Sequence, residues 1–196
     1  PAGVDAERVM GFVLGAFQAV QGGYQTESLL EMLKTGVSGF TAEEISALEN
    51  YAYLWKVSGP GWRQEFVRHP RGFGQELEEE DRQELARLNG LRQRLIGPLE
   101  RFAARTRQTT GEELSQAVYL LLTAYGMEEN LPAYCLSLEE AGEGALAQKQ
   151  LRVWDLLMEI LDQMRSILGK KPISRQRYFQ LLQEVIAGED VSEIPQ

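Results

Sequence analysis

Cysteine and histidine are nearly missing from this chain of 196 residues, which holds one of each, Cys135 and His69. A lone cysteine makes no internal disulfide and no thiolate cluster, which fits a reducing compartment. A lone histidine excludes zinc sites built on two or more imidazoles and the paired Glu-x-x-His of di-iron bundles. A Cys135–His69 nucleophile pair is conceivable, with Glu65 four residues before the histidine. A small core cysteine and a loop histidine beside Arg68 and Arg71 explain the same residues more simply. No stretch reaches the roughly 20 apolar residues of a membrane helix. The start Pro1-Ala2-Gly3-Val4-Asp5 has neither the basic flank nor the apolar run of a signal peptide, so the expectation is a cytoplasmic protein with no membrane partner. Positive charge is short as well: 20 lysines and arginines face 29 carboxylates, a net charge of −9 that repels nucleic acid at long range. The phosphate-cradling order Gly-x-x-x-x-Gly-Lys-Ser/Thr is absent from Lys34-Thr35-Gly36 and from Gly169-Lys170-Lys171. Gly59-Pro60-Gly61 lacks the strand-then-helix setting of a dinucleotide fingerprint. No nuclease motif is present either, so no catalytic residue, metal or cofactor is expected within these residues.

What is present is helical periodicity. With 43% hydrophobic and 25% charged residues the chain is long enough to bury a sizeable core, and it reads as one domain over 1–196. From Asp5, a candidate N-cap, to about Val20, the residues Val9, Phe12, Val13, Ala16, Phe17 and Val20 share a face, and Gly22-Gly23 end the helix. Thr26 is placed to cap a second helix with Leu29, Leu30 and Leu33 inward and Gly36 as its stop. Thr41-Ala42-Glu43-Glu44 reads as a capping box, opening a helix that buries Ile45, Leu48, Ala52 and Trp55. Periodicity then fails over about 58–79, a long irregular connection that Trp62, Phe66 and Phe73 can pin.

A long helix follows over 81–107, carrying Leu85, Leu88, Leu91, Leu95, Leu99 and Phe102, with Gly97-Pro98 expected to kink or break it. Thr110-Gly111-Glu112-Glu113 reads as a second capping box before Leu114, Val118, Leu121, Leu122 and Tyr125, and Gly126 closes that helix. The passage through Gly142 and Gly144 is helical or irregular. From 146 to 168, Trp154, Leu157, Leu161, Met164 and Leu168, widened by Val153, Ile160 and Ile167, mark a central buried helix. Ser174 is placed to cap a last helix packed through Phe179, Leu182, Val185 and Ile186. No alternating strand run or solenoid period is found. The expected fold is all-α, an irregular bundle of about six to eight helices.

Candidate binding residues lie on polar faces. Arg87, Arg94, Arg101 and Arg105 recur along one side of the long helix, a stripe able to follow a phosphate backbone. Equally, Glu84 and Glu100 are close enough to turn it into a solvated face of ion pairs worth about 0.3–0.5 kcal/mol each, which the net charge favours. Lys170, Lys171, Arg175 and Arg177 form a second basic cluster, at a helix C-terminus. Glu78-Glu79-Glu80-Asp81 has the charge to attract a divalent cation, but its place at a helix start suits a solvated, dipole-compensating N-terminus. Lys34 and Thr35 either offer an ammonium and a hydroxyl to a phosphate or neighbouring domain, or compensate the end of their helix. Leu48, Glu49, Asn50, Tyr51 and Trp62 are expected to form an architectural clasp, with Glu49 and Asn50 locking Tyr51 or the Trp62 loop through hydrogen bonds.

Several of these stretches carry a family resemblance. Tyr24 with Leu33-Lys34-Thr35-Gly36, Leu48-Glu49-Asn50-Tyr51 with Trp62, Asn89-Gly90-Leu91-Arg92 with Pro98-Leu99, and Val153-Trp154 with Leu161-Asp162-Gln163 are similar to AddB, as is the closing Ile194-Pro195. AddB (RexB-like) is the B subunit of the bacterial AddAB ATP-dependent helicase/deoxyribonuclease. The likeness is spread over nearly the whole chain. It implies an internal segment of a longer protein, a non-catalytic helical accessory insertion comparable to the 2B domain of superfamily 1 helicases. The parent so implied processes double-strand breaks for recombinational repair, with DNA and the A subunit (AddA) as partners. Its ATP and Mg site would precede this segment, and its nuclease and cysteine-ligated iron–sulfur cluster would follow. Cys135 stands alone, so no cluster ligand is carried over, and no sequence-recognition role maps onto these residues. The alternative is a free-standing helical protein–protein interaction module.

Overall fold

Apolar residues spaced by three and four put a continuous stripe on the first helix, and the second, fourth, seventh and eighth helices pack directly against it. The computed structural model describes residues 2–72, 74 and 76–188, with side chains from Arg8 onward; Phe73 and Ile194-Pro195 lie outside them. In chain order the elements are α1 (Ala2–Gln21), α2 (Thr26–Leu33), α3 (Ala42–Trp55), a 3-10 helix (Gly59–Arg63), α4 (Glu79–Arg105), β1 (Thr109–Thr110), α5 (Gly111–Ala124), α6 (Met127–Glu140), α7 (Gly144–Leu168), β2 (Pro172–Ile173) and α8 (Arg175–Gly188). The fold is an all-α multi-helix bundle, with one two-stranded ladder pairing Thr109 with Ile173 and Thr110 with Pro172. A ladder this short leaves no alternation to read in sequence.

Phe17 of α1 marks the centre. It meets Phe102 of α4 edge-on at 5.2 Å and stacks on Tyr178 and Phe179 of α8, while Phe12 meets Tyr125 edge-on at 5.0 Å. α7 packs against α1, α5 and α6 through buried Val153, Leu157, Ile160, Leu161 and Met164. The stripe runs on to Leu168 but does not include Ile167. Ile167 is 77% exposed, because in the last turn α5 closes over Leu168 instead: a Cβ on Gly111 would lie 2.2 Å from that of Leu168. Only glycine permits this approach.

Helix ends follow local chemistry with four departures. α1 is helical from Ala2, so Asp5 lies within it and does not cap it. Gln25 takes the N-cap position of α2, and the Thr26 hydroxyl points inward rather than to a helix N–H. Thr41 and Glu44 make both capping-box bonds, at 3.1 and 2.9 Å. At α5, by contrast, Thr110 accepts the Glu113 N–H at 3.2 Å while the Glu113 carboxylate takes the Thr109 and Thr110 hydroxyls. α4 is continuous through Pro98. Proline forfeits one rung of the helix, and buried Leu95, Ile96, Leu99 and Phe102 hold both halves against the core.

Candidate functional site

The connection between α3 and α4 is irregular in backbone, yet Trp62, Phe66, Arg68, His69 and Arg71 are each tied to a neighbouring helix or to one another. Trp62 is fully buried, and its Nε1–H donates to the Thr26 hydroxyl at 2.9 Å, which in turn donates to the Val57 carbonyl. Phe66 packs on Tyr51 at 4.5 Å and on Trp62 at 5.8 Å. Across from it, the Asn89 amide of α4 behaves like a neighbouring strand: Oδ1 accepts the Phe66 N–H at 2.7 Å and Nδ2 donates to the Phe66 carbonyl at 2.9 Å. Arg92, also buried, donates through Nε to Asn89 at 3.0 Å and through Nη1 to the Trp62 carbonyl at 3.3 Å, with its guanidinium 5.6 Å from the Phe66 ring centre. The Tyr51 hydroxyl brackets Arg68, donating to its carbonyl and accepting its N–H, and Trp55 Nε1–H donates to the His69 carbonyl at 2.8 Å.

His69 and Asp81 close the far end of this lock. His69 Nδ1 accepts the Arg71 N–H at 3.0 Å, and Nε2 lies 3.2 Å from Oδ2 of Asp81. Asp81 is buried, accepts the Glu78 N–H at 2.9 Å and pairs with Arg71 Nε at 3.1 Å. The Glu78 N–H, then the Arg71 guanidinium, hold its carboxyl below the usual carboxylate range. The acidic run is thus a helix start, with Glu78 and Asp81 as a reciprocal capping box. Among the described residues no group of three or more His, Cys, Asp or Glu side chains is placed to hold a metal ion.

Within the five-residue set that resembles AddB text, Leu48, Tyr51 and Trp62 face the interior, but Glu49 and Asn50 do not lock the loop. Glu49 pairs with Lys34 and Asn50 is exposed on an open groove beside Glu84 and Arg87. Asn50 lies opposite Leu48 and Ala52 on α3, and Glu49 turns to Lys34 at the end of α2; Asn89 and Arg92, from α4, supply the bonds expected of them. Lys34 is the C-cap of α2, and the Thr35 hydroxyl returns to the Met32 carbonyl at 2.9 Å.

The four arginines of α4 have different surroundings. Arg87 pairs with Glu84 at 3.2 Å, whereas Glu100 pairs with Arg63 of the connection and not with the stripe. Arg94 pairs with Glu44 at 2.8 Å and lies 4.4 Å over the Phe40 ring. Arg101 shares with it a cleft of about 350 Å³ beside Ser38, Pro98 and Tyr125, and Arg105 stands in the last turn. Beyond that turn, Arg175 of α8 reaches back to donate to the Thr106 hydroxyl at 2.7 Å and the Ala103 carbonyl at 2.9 Å. Cys135 is buried, its Sγ 3.4 Å from the Ala147 carbonyl, and burial pushes its thiol up. Its contacts are with α7 and those of His69 with Arg71 and Asp81, so the two form no nucleophile pair. No described helix is long and apolar enough to cross a membrane.

No family model matches the chain. Curated relatives match nearly all of it, among them three bacterial proteins named as the B subunit of an ATP-dependent helicase/deoxyribonuclease. The relative from Caldanaerobacter subterraneus subsp. tengcongensis is 27% identical over 187 residues, 94% of this chain and 16% of its own length. That from Alkaliphilus metalliredigens is 26% identical over 191 residues, 93% of this chain and 17% of the relative. One from Clostridium botulinum is 25% identical over 186 residues, again 93% and 16%. The chain therefore spans about a sixth of the length of the curated relatives it matches. The likeness to AddB read from the sequence is borne out by these relatives.

Proposed function

We propose that this chain is a non-catalytic helical accessory domain of the B subunit of an ATP-dependent helicase/deoxyribonuclease, acting in the cytoplasm within a machine that processes double-strand DNA breaks for recombinational repair. DNA and a partner A subunit are its proposed partners; ATP, Mg and the iron–sulfur cluster belong, on this reading, to other parts of the full-length protein. The observation that carries it is the match to relatives of that name over 94% of the chain but only 16% of the relative. The interior supports it. Trp62 and the ends of Asn89-Gly90-Leu91-Arg92, two of the stretches that resemble AddB, meet across the connection as packing and hydrogen bonding rather than as an arrangement of nucleophile, base or metal ligands. Such a domain positions other parts of a machine and does no chemistry itself. Purified alone and supplied with ATP, Mg and linear duplex DNA, the chain is expected to hydrolyse no nucleotide and degrade no strand. ATPase or nuclease turnover that survives repurification would contradict the reading.

A further inference from the structure

The two-stranded ladder joins two stretches that look unrelated in the sequence. Residues 101–110 carry Arg101, Arg105 and Arg107; residues 169–177 carry Lys170, Lys171, Arg175 and Arg177. Together they hold seven of the 20 lysines and arginines and none of the 29 carboxylates, in a chain whose net charge is −9. β1 lies in the first stretch and β2 in the second, and Gly111 and Glu112 donate their N–H groups to the Lys171 and Gly169 carbonyls. Arg175 is the internal spoke, bonding α8 to the end of α4. Arg101, Arg105, Arg107, Lys170, Lys171 and Arg177 stay exposed.

What surrounds them does not neutralise them. No carboxylate forms an ion pair with Arg101, Arg105, Arg107, Lys170, Lys171 or Arg177 among the described residues. Of the nearest acids in sequence, Glu100 is paired with Arg63 at 3.3 Å and Glu112 with Arg165 at 3.4 Å, while Glu113, held by the Thr109 and Thr110 hydroxyls, keeps its charge as a single carboxylate beside six cations. The C-termini of α4 and α7 meet the N-termini of α5 and α8 here. Their opposed dipoles largely cancel, so the side chains set the potential. The acidic remainder repels at long range, but at physiological salt it is screened beyond about 8 Å.

We infer that this end of the molecule, centred on Arg105, Arg107, Lys170 and Lys171 across the β1–β2 ladder, binds the phosphate backbone of nucleic acid. The choice of nucleic acid over another polyanion rests on the function proposed above; the patch itself rests on the fold. Contacts are to phosphate and read no sequence. Affinity is modest and steep in salt: four contacts give a log–log slope of about −3 on a single strand.

The test is anisotropy of a labelled oligothymidylate, titrated with the 196-residue chain at several salt concentrations. The expected result is binding at low salt with that slope. Binding should be at least about tenfold weaker, with a slope near zero, when Arg105→Ala, Arg107→Ala, Lys170→Ala and Lys171→Ala are combined. Two further variants guard against an unfolded protein. Arg105→Lys with Arg107→Lys keeps the charge and is expected to keep the binding. Arg82→Ala with Arg87→Ala, about 27 Å or more away along α4, is expected to leave it unchanged. No binding at low salt by the unaltered chain, or an unchanged slope in the four-alanine variant, overturns the inference. Either result leaves the accessory-domain reading standing, because that reading is tested by enzymatic inertness and by the flanking sequence.

Discussion

At the scale of single residues, Trp62 carries the most. It fills the space between α2 and the connection, and its indole N–H satisfies a hydroxyl that is itself buried. Trp62→Ala leaves a large cavity and an unanswered Thr26 acceptor. It is expected to lower stability by about 3–5 kcal/mol, read from chemical denaturation. An unchanged melting curve would show that the connection is held by something else. Trp62 is legible in sequence because an indole among Gly59, Pro60 and Gly61 has no periodic stripe to join and must pin the loop. Asn89 and Arg92 are not legible. A polar residue on a long amphipathic helix looks the same whether it meets water or a neighbouring backbone, and only the loop folded over α4 decides between them. Glu49 and Asn50 mislead for the converse reason: adjacency in sequence to Tyr51 places them on a different face of α3.

At the scale of elements, the irregular connection behaves as part of the core because both of its ends are tied to α4. Asp81 is the tie at the far end. Its folded-state pKa is depressed, by the Glu78 N–H first and then by Arg71. The stability it contributes is therefore present above the ordinary carboxylate pKa of about 3.9 and lost as pH falls through the lower folded value. Asp81→Asn is expected to lower the urea midpoint at neutral pH, and the gap from the unaltered protein should close as pH drops below that range. A gap independent of pH would mean that the carboxylate charge contributes nothing. Helix periods were readable because burial imposes them, and the Thr41 box because its two bonds are local. The unbroken α4 was not. A single proline costs one hydrogen bond locally, and whether the helix survives it depends on Leu95, Ile96, Leu99 and Phe102 finding partners on other helices.

At the scale of the whole molecule, a net charge conceals an arrangement. The composition argues against a strong nucleic-acid binder, yet the fold gathers two acid-free basic stretches at one end of α4. The stripe of arginines read along that helix divides instead: Arg87 and Arg94 are ion-paired, while Arg105 belongs to the ladder end. That regrouping comes from a ladder of two residues per strand, too short to foresee. The central claim is larger than the chain, that this bundle is one accessory part of a protein about six times its length. The most direct measurement is to sequence the open reading frame on both sides of Pro1 and Gln196 in the source genome. The account predicts coding sequence continuing in both directions, with a phosphate-binding loop upstream and a cysteine-flanked nuclease motif downstream. A start codon beside Pro1 and a stop codon just after Gln196 would contradict it, leaving a free-standing helical protein.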